Sequence, residues 1–143
     1  MSGDADIKAD IRNLDMIPSD SADAVAAIHV VEHVHEWEVL PMIREWRRIL
    51  KPGGKMILEL PCMNKVFNYM AWCHQTKQSI LGFMSLDALY GDTVYRNPAM
   101  CHKWGWFIEP FRKMLAAAEM RNIECCDPRY HFQFRDMRWE CVK

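Results

Sequence analysis

The sequence predicts an α/β fold built on a parallel βαβ unit, and three features of residues 24–61 predict it. The run "AVAAIHV" (24–30) is nearly continuous in apolar residues and bounded by turn signals, as a buried parallel strand requires. From Glu36 to Leu50 the period becomes helical: Trp37, Leu40, Ile43, Trp46 and Ile49-Leu50 recur on one side, with Glu45, Arg47 and Arg48 mostly on the other. "KPGG" (51–54) then stops the helix and turns the chain into a second apolar strand, "KMILELP" (55–61). Strand, helix, tight turn and strand in that order form a right-handed crossover between parallel strands.

The remaining elements follow from the same rules. "IKAD" (7–10) has the length and content of a short strand, and Pro18-Ser19-Asp20 marks a turn. Pro41 sits early in its helix, where a missing N–H costs less. Residues 64–90 read as one or two helices rich in aromatics, and 91–105 as an irregular loop. Phe107, Phe111, Met114, Leu115 and Ala118 mark another amphipathic helix with Pro110 near its start. "NIECC" (122–126) and "DMRWECV" (136–142) close the chain as strands, the last alternating Met137, Trp139 and Cys141. With 143 residues, half of them hydrophobic, the chain is expected to form one domain over 1–143 with a real core.

Charge and cysteine usage narrow the class. The formal net charge is −1, so no strong field draws the chain to nucleic acid or membrane. Residues 1–40 carry nine Asp/Glu against Lys8 and Arg12, and basic residues dominate after 41, a division read as solvated faces. "MSGDADIKAD" lacks the basic start and apolar stretch of a signal peptide, and no apolar run approaches the ~18 residues of a membrane span. Six cysteines without a C-x-x-C pair fit reduced thiols in a cytoplasmic protein.

His29-Val-Val-Glu-His33 spells H-x-x-E-H, a zinc peptidase pattern. That chemistry needs both histidines one turn apart on a helix and a third ligand from further along. Here His29 closes a strand, so the letters are expected in a strand-to-helix connection, and no metal set is assigned.

The series in 10–61 resembles the class I S-adenosylmethionine-dependent methyltransferases from their third strand through their fifth. It includes Asp10 after strand three, the "S-x-D" entering strand four, "HVVEHV" leaving it, and "EWRRILKPGG" before strand five. More loosely, 102–124 is similar to the family's last helix and strand six, and 135–143 to strand seven. The resemblance implies a doubly wound Rossmann-like sheet, mostly parallel with an antiparallel last strand, flanked by helices. The part present corresponds to strands 4-5-7-6 of the family order 3-2-1-4-5-7-6, with 62–106 as a substrate-binding or lid insertion.

It also implies S-adenosylmethionine as cofactor. Asp10 would accept a hydrogen bond from the adenine amino group beside the Ile11 backbone, and His29 would line the methionine portion. His33, next to Glu32, would orient substrate or take a proton. A run similar to "LYG…HKWG" (89–105) occurs in family members tied to sugar or surface-polysaccharide chemistry, which makes Tyr90, Trp104 and Trp106 candidate stacking faces and His102 a polar contact. A small-molecule or sugar-type acceptor is therefore expected.

The family's opening strand and Gly-rich loop have no counterpart, since no G-x-G occurs anywhere in the sequence. Two readings of different class follow: a methyltransferase, or its C-terminal part, and a cofactor-free methyltransferase-like remnant serving as an interaction or scaffold module. A zinc hydrolase is a distant third. Without strands one and two, the "AVAAIHV" strand is an edge that needs cover. The N-terminal segment, a second copy or a separate polypeptide would provide it, self-association being the expected route.

Overall fold

The structure is a computed structural model and describes residues 6–143. Four strands form one sheet in the order β1-β2-β4-β3. β1 (Ala22–Ile28) runs parallel to β2 (Leu50–Pro61), while β4 (Asp136–Val142) lies antiparallel between β2 and β3 (Arg121–Cys126). Three strands thus share a direction and the last opposes them, in the 4-5-7-6 arrangement expected.

The crossover from β1 to β2 is helix α1 (Glu36–Ile49). Its buried residues, Val39, Met42, Ile43, Trp46 and Ile49, follow i, i+3, i+4, i+7 spacing. Trp37 is not among them: it is 69% exposed and stacks on His35 at 4.5 Å. The buried stripe thus starts at Val39 and not at Trp37. Met42, Ile43 and Trp46 meet Met56, Leu58 and Leu60 of β2, and Met137, Trp139 and Cys141 of β4, in one core. Phe111 and Leu115 from helix α4 (Ile108–Ala117) complete it.

"KPGG" does not lie outside the strand but opens β2. Gly53 adopts φ +77°, and the register slips from Ala22–Leu50 to Ala24–Lys55, so the turn is absorbed as a bulge. Gly54 has no room for a side chain, since a Cβ would meet the Lys51 carbonyl oxygen at 2.9 Å. Residues 7–10 form no strand. The stretch that follows packs along α1: Trp46 Nε1 donates to the Ile11 carbonyl at 2.7 Å, and Arg48 donates to the carbonyls of Leu14 and Ile17. Residues 6–21 therefore do not pair with β1. Among the described residues β1 pairs with β2 alone, and Ala24 and Ala26 are exposed.

Between β2 and α4 lie helix α2 (Met63–Thr76), a short α3 (Leu86–Tyr90) and three 3₁₀ turns. Met63, Val66 and Ala88 form a small second core here. Gly91, at φ +91°, fixes the loop after α3, because a Cβ there would lie 2.0 Å from the Met100 carbonyl oxygen.

Candidate functional site

Ligands of an open α/β sheet bind beyond the carboxyl ends of its parallel strands. At that end β1 stops on His29, which takes φ +53° and still donates its N–H to the Glu59 carbonyl at 2.8 Å. The left-handed turn swings the imidazole inward. Its Nε2 lies 3.2 Å from Asp136 Oδ2 at the start of β4, and its Nδ1 2.9 Å from Glu32 Oε1. Asp136 also accepts from Arg135 Nε at 2.6 Å and Nη2 at 2.9 Å. Burial pushes the His29 pKa down, but the two carboxylates outweigh it and raise it to about 9. His29 is therefore an imidazolium near neutral pH. Burial likewise pushes the Asp136 carboxyl up, and hydrogen bonds from His29 and Arg135 hold it below its ordinary value.

Three more histidines surround this network. His131 packs against His29 with ring centroids 4.0 Å apart and tilted by 44°, and the His33 and His102 rings meet edge to face at 4.9 Å. Burial pushes His102 and His131 below the ordinary histidine range. His29, His33, His102, His131 and Arg135 border a cavity of about 370 Å³. A wider, mostly apolar cavity of about 1050 Å³ adjoins it, walled by Tyr69 of α2, Phe83 and Phe134. Phe83, His131 and Phe132 border both spaces.

Glu59 of β2 holds that wall. It accepts from the N–H groups of Arg129 at 2.8 Å and Tyr130 at 3.0 Å, and from Arg138 Nη1 at 2.7 Å. Burial pushes its carboxyl up, but these three donors keep it below the ordinary glutamate value.

The residues singled out from sequence divide into two places. His29, His33 and His102 converge on one cavity, with Glu32 between them. Asp10 and Ile11 lie apart, against α1. Both Asp10 oxygens accept from Arg12, which holds the carboxyl down at about 2, and Arg12 also pairs with Glu38 at 2.7 Å. Trp106 is 4% exposed and packs edge-on against Phe111 at 5.1 Å, so it is core rather than a stacking face. Tyr90 and Trp104 remain exposed. The contributors missed are Glu59, Phe83, His131, Phe132, Arg135 and Asp136. The visible signal was "YHFQFRD" (130–136), aromatics interleaved with a histidine and charges immediately before the last strand.

Among the described residues no helix is long and apolar enough to cross a membrane. A family model described as a methyltransferase domain matches residues 2–58. No curated protein sequence matches the chain. Its fold is similar to a SAM-dependent methyltransferase from Archaeoglobus fulgidus, with TM-score 0.62, 14% identity, and 96% of this chain covering 66% of that one. It is similar also to a chain in the complex of the Haloferax volcanii Trm112 methyltransferase activator with a methyltransferase (0.62, 14%, 98% and 63%). A third is the Burkholderia thailandensis 1,6-didemethyltoxoflavin-N1-methyltransferase, solved with S-adenosylhomocysteine (0.58, 12%, 96% and 49%). The chain thus spans about two thirds or less of each relative. Residues 2–58 thus match a methyltransferase-domain model by sequence, and the sheet with its helices has the fold of the S-adenosylmethionine-dependent methyltransferases.

Proposed function

We propose that these residues form the acceptor side of an S-adenosylmethionine-dependent methyltransferase acting on a small-molecule or sugar-type acceptor. The observation that carries this is the buried polar cluster at the carboxyl end of parallel β1 and β2, opening directly onto an apolar cavity. The cofactor, when bound, supplies an electrophilic methyl group. The chain's residues fit it on one side only: His29 at the end of β1 and the Asp10–Ile11 turn are candidate contacts, whereas its amino-acid tail asks for a Gly-rich loop that these 143 residues do not contain.

Residue roles follow from charge. His29 is cationic and engaged with two carboxylates, so it positions and polarises but accepts no proton. His131 stays neutral and borders both cavities, which places it to take a proton from an acceptor hydroxyl. Tyr69, Phe83 and Phe132 would hold an apolar or sugar face, with 62–106 as the covering segment. One observation favours the cofactor-free module: both oxygens of Asp10 are already engaged by Arg12. S-adenosylmethionine binding separates the two readings.

The free side of β1 suits pairing with a second copy of the chain. Sedimentation is expected to give a dimer or larger assembly, and a strict monomer at every concentration would contradict self-association. A cytoplasmic setting fits six free cysteines.

A further inference from the structure

We infer that Glu32, His33 and His102 form a binding site for one divalent transition-metal ion of the zinc class. The site goes beyond methyl transfer and does not depend on it.

One ligand atom from each of the three residues lies within 4.8 Å of the others. Glu32 is 1% exposed, and neither of its carboxylate oxygens has a hydrogen-bond partner among the described residues. Oε1 faces the His29 imidazolium at 2.9 Å as an ion pair, which leaves Oε2 buried with no partner of any kind among the described residues. A buried carboxylate oxygen without a partner is costly, and a cation in the adjoining space would engage Oε2.

The two histidines are oriented as metal ligands are. His102 Nδ1 lies 2.9 Å from the Ala88 carbonyl oxygen, and His33 Nδ1 lies 3.3 Å from that of Cys101. A carbonyl only accepts, so each Nδ1 carries the proton and each Nε2 keeps its lone pair for a ligand. The backbone around them is tied. Lys103 N–H donates to the Glu32 carbonyl at 2.6 Å, and His102 N–H to that of Tyr90 at 3.1 Å. The tight approach of Gly91 to Met100 fixes the same loop.

Two imidazoles and a carboxylate suit zinc with an open fourth position, here facing the histidine-lined cavity. A tetrahedral ion holds its ligand atoms roughly 3.3 Å apart, so closing the site asks for side-chain shifts of about an ångström. The neighbouring set of His29, His131 and Asp136 is also compact, but it is a closed ion-pair network, with both Asp136 oxygens held by Arg135. Only the last two residues of H-x-x-E-H are ligands, and the third comes from a loop 69 residues on (102 against 33).

The test is zinc titration of the chelator-stripped chain against a chromogenic chelator, with cobalt(II) absorption as a second readout and no S-adenosylmethionine present. One ion per chain is expected, with visible cobalt bands, no sulfur-to-cobalt charge transfer, and a melting temperature raised by zinc. Glu32→Gln and His102→Ala should each weaken binding by about tenfold or more, whereas His131→Ala should leave it unchanged. Glu32→Gln removes a charge without changing shape, so it decides the matter even if His102→Ala fails to fold. Absence of zinc binding, a thiolate band, or wild-type affinity in Glu32→Gln would each overturn the site. Methyl transfer would stand or fall separately.

Discussion

Replacing Glu59 by alanine is expected to destabilise the fold by about 3–5 kcal/mol, the range for breaking one half of a buried ion pair. Glu59 is fully buried and Arg138 3% exposed, so the change strands a guanidinium inside the sheet with Glu140 as its remaining carboxylate partner. It also frees the N–H groups of Arg129 and Tyr130. The loss therefore reaches function: the loop that Glu59 anchors carries His131 and Phe132, the shared wall of both cavities. Urea denaturation measures it, and a change below about 1 kcal/mol would mean that the pair is not buried as described. Glu59→Gln keeps an acceptor and should cost less, about 1–3 kcal/mol.

The second large effect is one of pH. His29 has its pKa raised from 6.5 to about 9 in the folded protein. Its contribution is fully present below the unfolded value and lost as pH rises through the folded one. Stability of the chelator-treated chain should therefore fall between pH 6.5 and 9, by about 3 kcal/mol if the whole shift is realised. His102 and His131 do not compete in this window. Both are pushed down, so they withdraw stability only as pH falls below the ordinary histidine value. Asp136, held low, acts in acid, and Cys141, pushed up by burial to about 12, acts in alkali. Denaturation series across the window check this, and His29→Asn should flatten the profile. A profile already flat in the unsubstituted chain would show that His29 is neutral and that the cluster is not an ion-pair network.

The two predictions also mark what the sequence made legible. β1, α1 and β2 were readable because each carries a simple hydrophobic period, and the 4-5-7-6 sheet was implied by the family resemblance of residues 10–61 and 102–143. Where period gave out, reading failed. Residues 7–10 have strand-like content but no neighbour to pair with, and "KPGG" carries turn residues that a bulged parallel ladder absorbs. His29, His33 and His102 were found through the family resemblance of "HVVEHV" and "LYG…HKWG". Their partners were not, because His29 and Asp136 are joined across 107 residues of chain, a separation that no local pattern encodes. The loop 127–134 has no periodicity, and its role as cavity wall comes from Glu59, a buried acid in a mostly apolar strand. Trp106 was a candidate stacking face through the resemblance of the "LYG…HKWG" run, yet its ring belongs to the core.

The most direct test of the central claim is calorimetric titration of S-adenosylmethionine into the chain, at concentrations where sedimentation has defined its assembly. Binding at about 100 μM or tighter, roughly −5.5 kcal/mol, is the expected result, with Asp10→Ala weaker. An absence of heat at every assembly state, unchanged by Asp10→Ala, would contradict the methyltransferase reading and leave a fold that has kept the architecture without the cofactor.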